Sequence, residues 1–170
     1  VLRLVRGQRY GQRAAFAHHA RPLNEIRVEN GLPALPGDVR FAYTDADDVL
    51  YTDIPELFAI AALPPNHRFV GPALWEPSDT SIDWPAGGLP QATAYVTLGS
   101  SGPAHLLGSI VDCLSELSVT SLVSTAGVPV TRSIPNGLIR SYLPVLQAAR
   151  RSKLVVCNGG APTSQQALAA

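Results

Sequence analysis

The rhythm of apolar and polar positions changes twice along this chain. Over residues 1–30, Arg3, Arg6, Arg9 and Arg13 recur at helical spacing. The stretch Pro22-Leu-Asn-Glu-Ile-Arg-Val-Glu-Asn30 keeps that period up to Gly31, a residue suited to closing a helix in the left-handed conformation. The pattern predicts a helix. Its arginine series reads as a solvated face, because the apolar partners are small and Gly7 and Gly11 interrupt them. Residues 33–92 then carry Pro33, Pro36, Pro55, Pro64, Pro65, Pro72, Pro77, Pro85 and Pro90, which rules out long helices and central strands there. Short strands are expected at Val49–Thr52 and His67–Val70, and Gly71–Gln91 reads as an extended segment crossing between two domains.

From Ala92 strands and helices alternate. Ala94–Leu98 reads as a strand, followed by the turn Gly99-Ser-Ser-Gly-Pro103. A helix follows with Leu106, Leu107, Ile110, Val111, Leu114 and Leu117 expected on one face. Val119–Ser124 and Gly137–Ser141 are predicted strands, Pro144–Arg151 a short helix, and Lys153–Cys157 a fourth strand. Strands separated by helices predict right-handed crossovers and a parallel sheet, an α/β fold.

Two turns in this half carry chemistry. Leu154-Val-Val-Cys-Asn-Gly-Gly-Ala-Pro-Thr-Ser-Gln-Gln-Ala-Leu168 passes from strand to a glycine turn to a helix start, with a proline in the first helical turn. Free backbone N–H groups and the positive end of the helix dipole converge there, and glycine admits an anion closely. In a doubly wound sheet of order 3-2-1-4 the first and fourth strands are neighbours at the switch point. Gly99–Gly102 and Asn158–Gly160 would then face each other across the ligand crevice. Neither turn has the spacing of a dinucleotide fingerprint or a P-loop.

Composition narrows the partners. The 170 residues are 46% apolar with zero formal net charge, which argues against nucleic acid or an anionic membrane. No apolar run approaches the ~20 residues of a membrane span. Cys113 and Cys157 both fall in segments read as buried, so two reduced thiols and a cytoplasmic setting are expected. The chain has no methionine and stops at Ala170, inside a helix of roughly nine residues, short of the ~12–15 that isolated helices need. Both features predict an internal stretch of a longer polypeptide.

Tyr142-Leu-Pro-Val145 followed by the Leu154–Leu168 segment resembles the donor-binding signature of nucleotide-sugar glycosyltransferases with two facing Rossmann-like domains. This is the GT-B fold of the UDP-glycosyltransferases and antibiotic glycosyltransferases. Val96-Thr-Leu-Gly-Ser100 resembles the strand that opens their C-terminal domain. Leu23-Asn-Glu-Ile-Arg27 with Gly31-Leu-Pro33, and Phe69-Val-Gly-Pro72, resemble the end of their N-terminal domain and the linker. The resemblance implies residues 1–70 as the end of an acceptor domain, 71–92 as linker, and 93–170 as the first part of the donor domain.

It also implies roles. Tyr142 stands where the family's Trp stacks on the nucleobase, and backbone near Leu143 and Pro144 holds the base edge. Asn158, Gly159 and Gly160 form the diphosphate turn, Pro162 and Thr163 the start of the phosphate-binding helix. Gln166 takes the place of the Glu on the ribose hydroxyls, and Ser100 and Ser101 approach the phosphates. Asn158 replaces a histidine, so it donates without any option of positive charge, and Gln166 loses charge-assisted strength. The implied co-substrate is a UDP- or dTDP-sugar, with no obligatory metal or cofactor and a small-molecule or lipid acceptor. The family's catalytic base lies upstream of Val1, so the catalytic residues are unassigned and the chain alone is expected to be silent in glycosyl transfer.

Other constellations have plainer readings. Asp45-Ala-Asp47 imitates a metal-binding D-x-D in a proline-rich stretch, and as a calcium loop with Asp53 and Glu56 it lacks the required glycine at Leu50; a solvated acidic turn is the reading. His18 and His19 are adjacent and do not face one another on a helix. His67 reads as structural, while His105 either approaches the donor or is solvated. Ser100-Ser101 lacks a nucleophile elbow. Two alternatives to a transferase stay open: a non-catalytic nucleotide-binding protein with a decayed site, and a sugar-nucleotide epimerase.

Overall fold

The computed structural model describes residues 2–57, 60, 62–77, 81–85, 87–91 and 93–170, with backbone alone for residues 2–10. The side chains of Arg3, Arg6 and Arg9, and the whole of Ala92, lie outside the described residues. The chain divides into two compact units, Val1–Tyr51 with Ala59–Phe69, and Thr52–Phe58 with Val70–Ala170.

In the first unit, helix α1 (Leu2–Glu29) runs unbroken through Pro22. It closes on Gly31 at φ +74, as the sequence predicted. Asn24 fastens the following loop, its amide donating to the Leu35 carbonyl at 3.1 Å and its oxygen accepting from the Leu35 N–H at 2.9 Å. A single 3-10 turn (Val39–Tyr43) starts at Asp38, whose carboxylate accepts from the Arg40 N–H. Strands β1 (Val49–Tyr51) and β2 (His67–Phe69) pair in parallel, one residue shorter at the carboxyl end than predicted.

The second unit is a doubly wound sheet. Strands β3 (Thr93–Thr97), β4 (Thr120–Ser124), β5 (Leu138–Arg140) and β6 (Leu154–Cys157) are all parallel, in the order β5-β4-β3-β6. This is the predicted 3-2-1-4 arrangement. Helices α2 (Leu106–Glu116), α3 (Val145–Arg150) and α4 (Ala161–Ala169) connect and follow the strands. Successive side chains point to opposite faces of a strand, and here both faces are covered. Ala94, Val96 and Val123 pack with Leu107, Val111 and Leu114 of α2 on one face. Tyr95, Leu122 and Leu138 pack with Leu143 and Ala148 on the other, with Ile82, Trp84 and Leu89 over them. All five residues of β3 are buried.

Two packing expectations need correction. The apolar stripe of α2 is narrower than predicted: Leu106 is 43% and Leu117 73% exposed, because Leu117 lies past the last helical turn. Cys113, expected to be buried, is exposed, since it sits next to Asp112 on the helix face away from Val111 and Leu114. Cys157 is half-buried, and both thiols are free.

Candidate donor-nucleotide site

The register Thr97↔Cys157 between β3 and β6 ends two neighbouring strands side by side. Both then turn through left-handed glycines, Gly99 at φ +62 and Gly159 at φ +78. A Cβ placed on Gly99 would stand 3.7 Å from Asn158 Nδ2 and 3.8 Å from its Oδ1. The two predicted turns therefore do meet at the switch point. Asn158 is exposed, and its Oδ1 accepts the Gly160 N–H at 3.3 Å, fixing the turn as it enters α4. Helix α4 starts at Gly160 without a side-chain cap and has a proline in its first turn, and its bond from Ser164 N–H to the Gly160 carbonyl is 3.0 Å. Pro162 is exposed and Thr163 half-buried beside it.

In the first turn the Gly99 N–H donates back to Thr97 Oγ1 at 3.3 Å. Ser100 and Ser101 are exposed. Gly102 closes the turn against the strand, where a Cβ would overlap the Leu98 carbonyl oxygen. His105 sits exposed at the start of α2, on the rim of a cleft of about 270 Å³ that Arg132 also lines. Arg132 is bound by both its Nε and Nη2 to the Asp112 carboxylate, at 2.9 and 3.2 Å.

Tyr142 leaves the end of β5 with 42% of its surface exposed. Burial of the rest, and then the Glu76 carboxylate, holds its phenol above the ordinary pKa. Leu143 and Pro144 are fully buried behind it. Ser124, the last residue of β4, accepts the Leu143 N–H at 3.3 Å and donates to the Ser141 carbonyl at 3.4 Å, so it grips the chain on both sides of Tyr142. Beneath lies Tyr95, 1% exposed, its phenol pushed up to about 12 by burial against the lowering effect of hydrogen bonds to Thr97 and Ser124.

Glu76 and Gln165, unread in the sequence, and Gln166, read there as a ribose contact, make long-range bonds around the site. Glu76 Oε1 accepts the Leu146 N–H at 2.6 Å and so caps the first turn of α3 from 70 residues away. Gln166 is 7% exposed, and its Nε2 donates to the Trp75 carbonyl at 2.8 Å. Its neighbour Gln165 donates to Thr52 O at 3.0 Å and to Asp53 Oδ1 at 2.6 Å. No local pattern announces such long-range bonds. Ser124 left a faint signal, as a hydroxyl ending a β-branched run next to the switch point.

The remaining candidates have ordinary partners. Asp45 pairs with Arg27 of α1 at 2.7 Å, so the acidic turn is tied down rather than merely solvated. His67 Nδ1 is 2.8 Å from the Tyr51 hydroxyl, a structural contact as predicted. His18 and His19 are exposed, with ring centroids 5.6 Å apart edge to face. Among the described residues no group of three or more His, Cys, Asp or Glu gathers around a common metal position.

A parallel sheet with glycine turns meeting at its switch point defines a doubly wound α/β domain. No protein-family model matches the chain. It is 44% identical over 158 residues, 91% of its length, to the PGL/p-HBAD biosynthesis glycosyltransferase of Mycobacterium tuberculosis H37Ra. It is 42% identical over 158 residues, again 91% of its length, to the PGL/p-HBAD biosynthesis rhamnosyltransferase of Mycobacterium bovis BCG. A further Mycobacterium bovis BCG relative, named an inactive PGL/p-HBAD biosynthesis glycosyltransferase, is 40% identical over 105 residues, 61% of the chain and 28% of that protein. The chain spans only 37% and 35% of the length of the first two. The crystal structure of the glycotransferase of kitacinnamycin matches 89% of the chain with a TM-score of 0.66, at 20% identity and over 41% of that protein. The chain thus has the GT-B fold and is similar over most of its length to glycosyltransferases.

Proposed function

We propose that this chain is the donor-binding part of a hexosyltransferase that moves a sugar from a UDP- or dTDP-sugar to a hydroxyl of a small-molecule or lipid acceptor, in the cytoplasm. The observation that carries it is the meeting of Gly99 and Asn158 at the carboxyl ends of adjacent parallel strands. The kinship with glycosyltransferases supports the same reading.

As the sugar leaves, negative charge grows on the departing diphosphate. Preorganised donors aimed at that charge lower the barrier without reorganising. Here they are the backbone N–H of Gly159, the uncapped start of α4 with its dipole, the Asn158 amide NH2, and the exposed hydroxyls of Ser100 and Ser101. Pro162 and Thr163 shape the first turn of α4. Tyr142 stacks on the base, whose edge meets the backbone at Leu143 and Pro144. Gln166, with its Nε2 committed to Trp75, presents Oε1 to the ribose hydroxyls. The acceptor is deprotonated by a base from the acceptor domain, and no metal is obligatory.

A second reading is a nucleotide-binding protein without transfer activity, favoured by Asn158 and Gln166 at positions where the family has His and Glu, and by the relative named inactive. Calorimetric titration of the intact protein with UDP and with dTDP tests the site, and a transfer assay with the tighter-binding donor separates the readings. Binding without transfer would favour the second reading. If neither diphosphate bound, both would fail.

A further inference from the structure

The Ser124 hydroxyl donates to Ser141 O at 3.4 Å and accepts from the Leu143 N–H at 3.3 Å. Ser141 is also held by the Ala126 N–H at 2.9 Å, but Ser124 is what holds the Leu143 N–H. Thr97 stands opposite Ser124 in the β3–β4 ladder and accepts the Gly99 N–H at 3.3 Å. Two hydroxyls facing each other across adjacent strands therefore hold the Gly99–Gly102 turn and the segment that carries Tyr142. Ser124 is 6%, Thr97 6% and Tyr95 1% exposed, so no water competes strongly for these bonds.

We infer that Ser124, with Thr97 opposite it in the ladder, is a positioning residue that fixes the Tyr142 platform relative to the phosphate-side turn and thereby sets affinity for a nucleoside diphosphate. The inference rests on the donor-site reading given above. Removing the Ser124 hydroxyl leaves the Leu143 N–H buried without its acceptor and frees Tyr142 to shift, while the anion-binding turns keep their own bonds. Tyr95→Phe removes the buried phenol that interacts with Ser124 and Thr97 without changing ring shape.

The test is calorimetric titration of the intact protein with UDP and dTDP, comparing wild type, Ser124→Ala and Tyr95→Phe. The expected result is a dissociation constant about tenfold higher for Ser124→Ala, and a smaller rise for Tyr95→Phe, with stoichiometry unchanged in both. A merely structural role would lower the binding-competent fraction and leave the dissociation constant alone. That outcome, or wild-type affinity in both variants, would overturn the inference while leaving the donor site standing. Absence of diphosphate binding in the wild type would instead sink the donor-site reading and this inference with it.

Discussion

The Asn158 side-chain amide lies over the face of Gly99 where any other residue would carry its Cβ, at 3.7 Å from Nδ2. One glycine turn is thus shaped to receive the side chain that opens the other. A Cβ at that distance is in ordinary van der Waals contact, so the obstacle to substitution there is the backbone, held at φ +62.

Three glycine-to-alanine changes should therefore rank in a definite order. Gly11→Ala, inside α1 with open space around it, should stabilise by about 0.5–1 kcal/mol. Gly99→Ala should cost about 1–2 kcal/mol for its left-handed backbone. Gly102→Ala drives a methyl into the Leu98 carbonyl and should cost the most, about 3 kcal/mol. Denaturant unfolding of the three variants measures the order, and a harmless Gly102→Ala would contradict the packing of the β3–α2 turn.

Alkaline stability should carry the signature of Tyr95. Its phenol has an ordinary pKa of 10.0 in the unfolded chain and about 12 in the fold, so between these values the fold retains a proton that the unfolded chain has released. The contribution is complete below pH 10 and is lost as pH rises toward 12, to a total of about 3 kcal/mol. Unfolding free energy should fall across that window, and Tyr95→Phe should flatten the fall. An unchanged slope in the variant would assign the effect to other groups.

Gln166→Glu restores the residue type of the related signature yet should destabilise this chain. The amide that donates to Trp75 O becomes a carboxylate that can only accept, in a site 7% exposed. Protonation returns a donor, so the loss, about 1–3 kcal/mol at neutral pH, should shrink in acid. Thermal unfolding of the variant at pH 7 and pH 4 checks this, and an equal loss at both would show that the Trp75 bond is not what suffers.

Tyr142→Ala should weaken nucleoside diphosphate binding by about tenfold through lost base stacking, whereas Tyr142→Phe should bind nearly as wild type. The same calorimetric titration reads both. Equal affinity in the alanine variant would place the base elsewhere.

The second half of the fold was legible in the sequence because its signals are local. β-branched runs, glycine turns and a 3.6-residue stripe each span a few neighbours, and the order β5-β4-β3-β6 follows from their succession. The meeting of Gly99 and Asn158 followed in turn from that order. What stayed hidden depends on partners far along the chain. Glu76 caps a helix 70 residues later, and Gln165 reaches Thr52 across 113. Nothing in Glu-Pro or Gln-Gln predicts those bonds. Cys113 was misread for a different reason: an apolar residue type on an amphipathic helix does not say which face it occupies, and the packing of Val111 and Leu114 leaves it outside.

The bare start of α4 has a thermodynamic consequence. A helix capped by a glycine forgoes roughly a few tenths of a kcal/mol that a serine or aspartate would contribute, and leaves its first N–H groups without a side-chain partner. An anion that settles there supplies what the sequence withholds, and it binds the folded chain alone. Occupancy then becomes heat resistance, about 2.7 kcal/mol at a hundred times the dissociation constant. The melting temperature of this protein should therefore track the concentration of its ligand, and a melting scan against a panel of nucleotides would show which one it keeps.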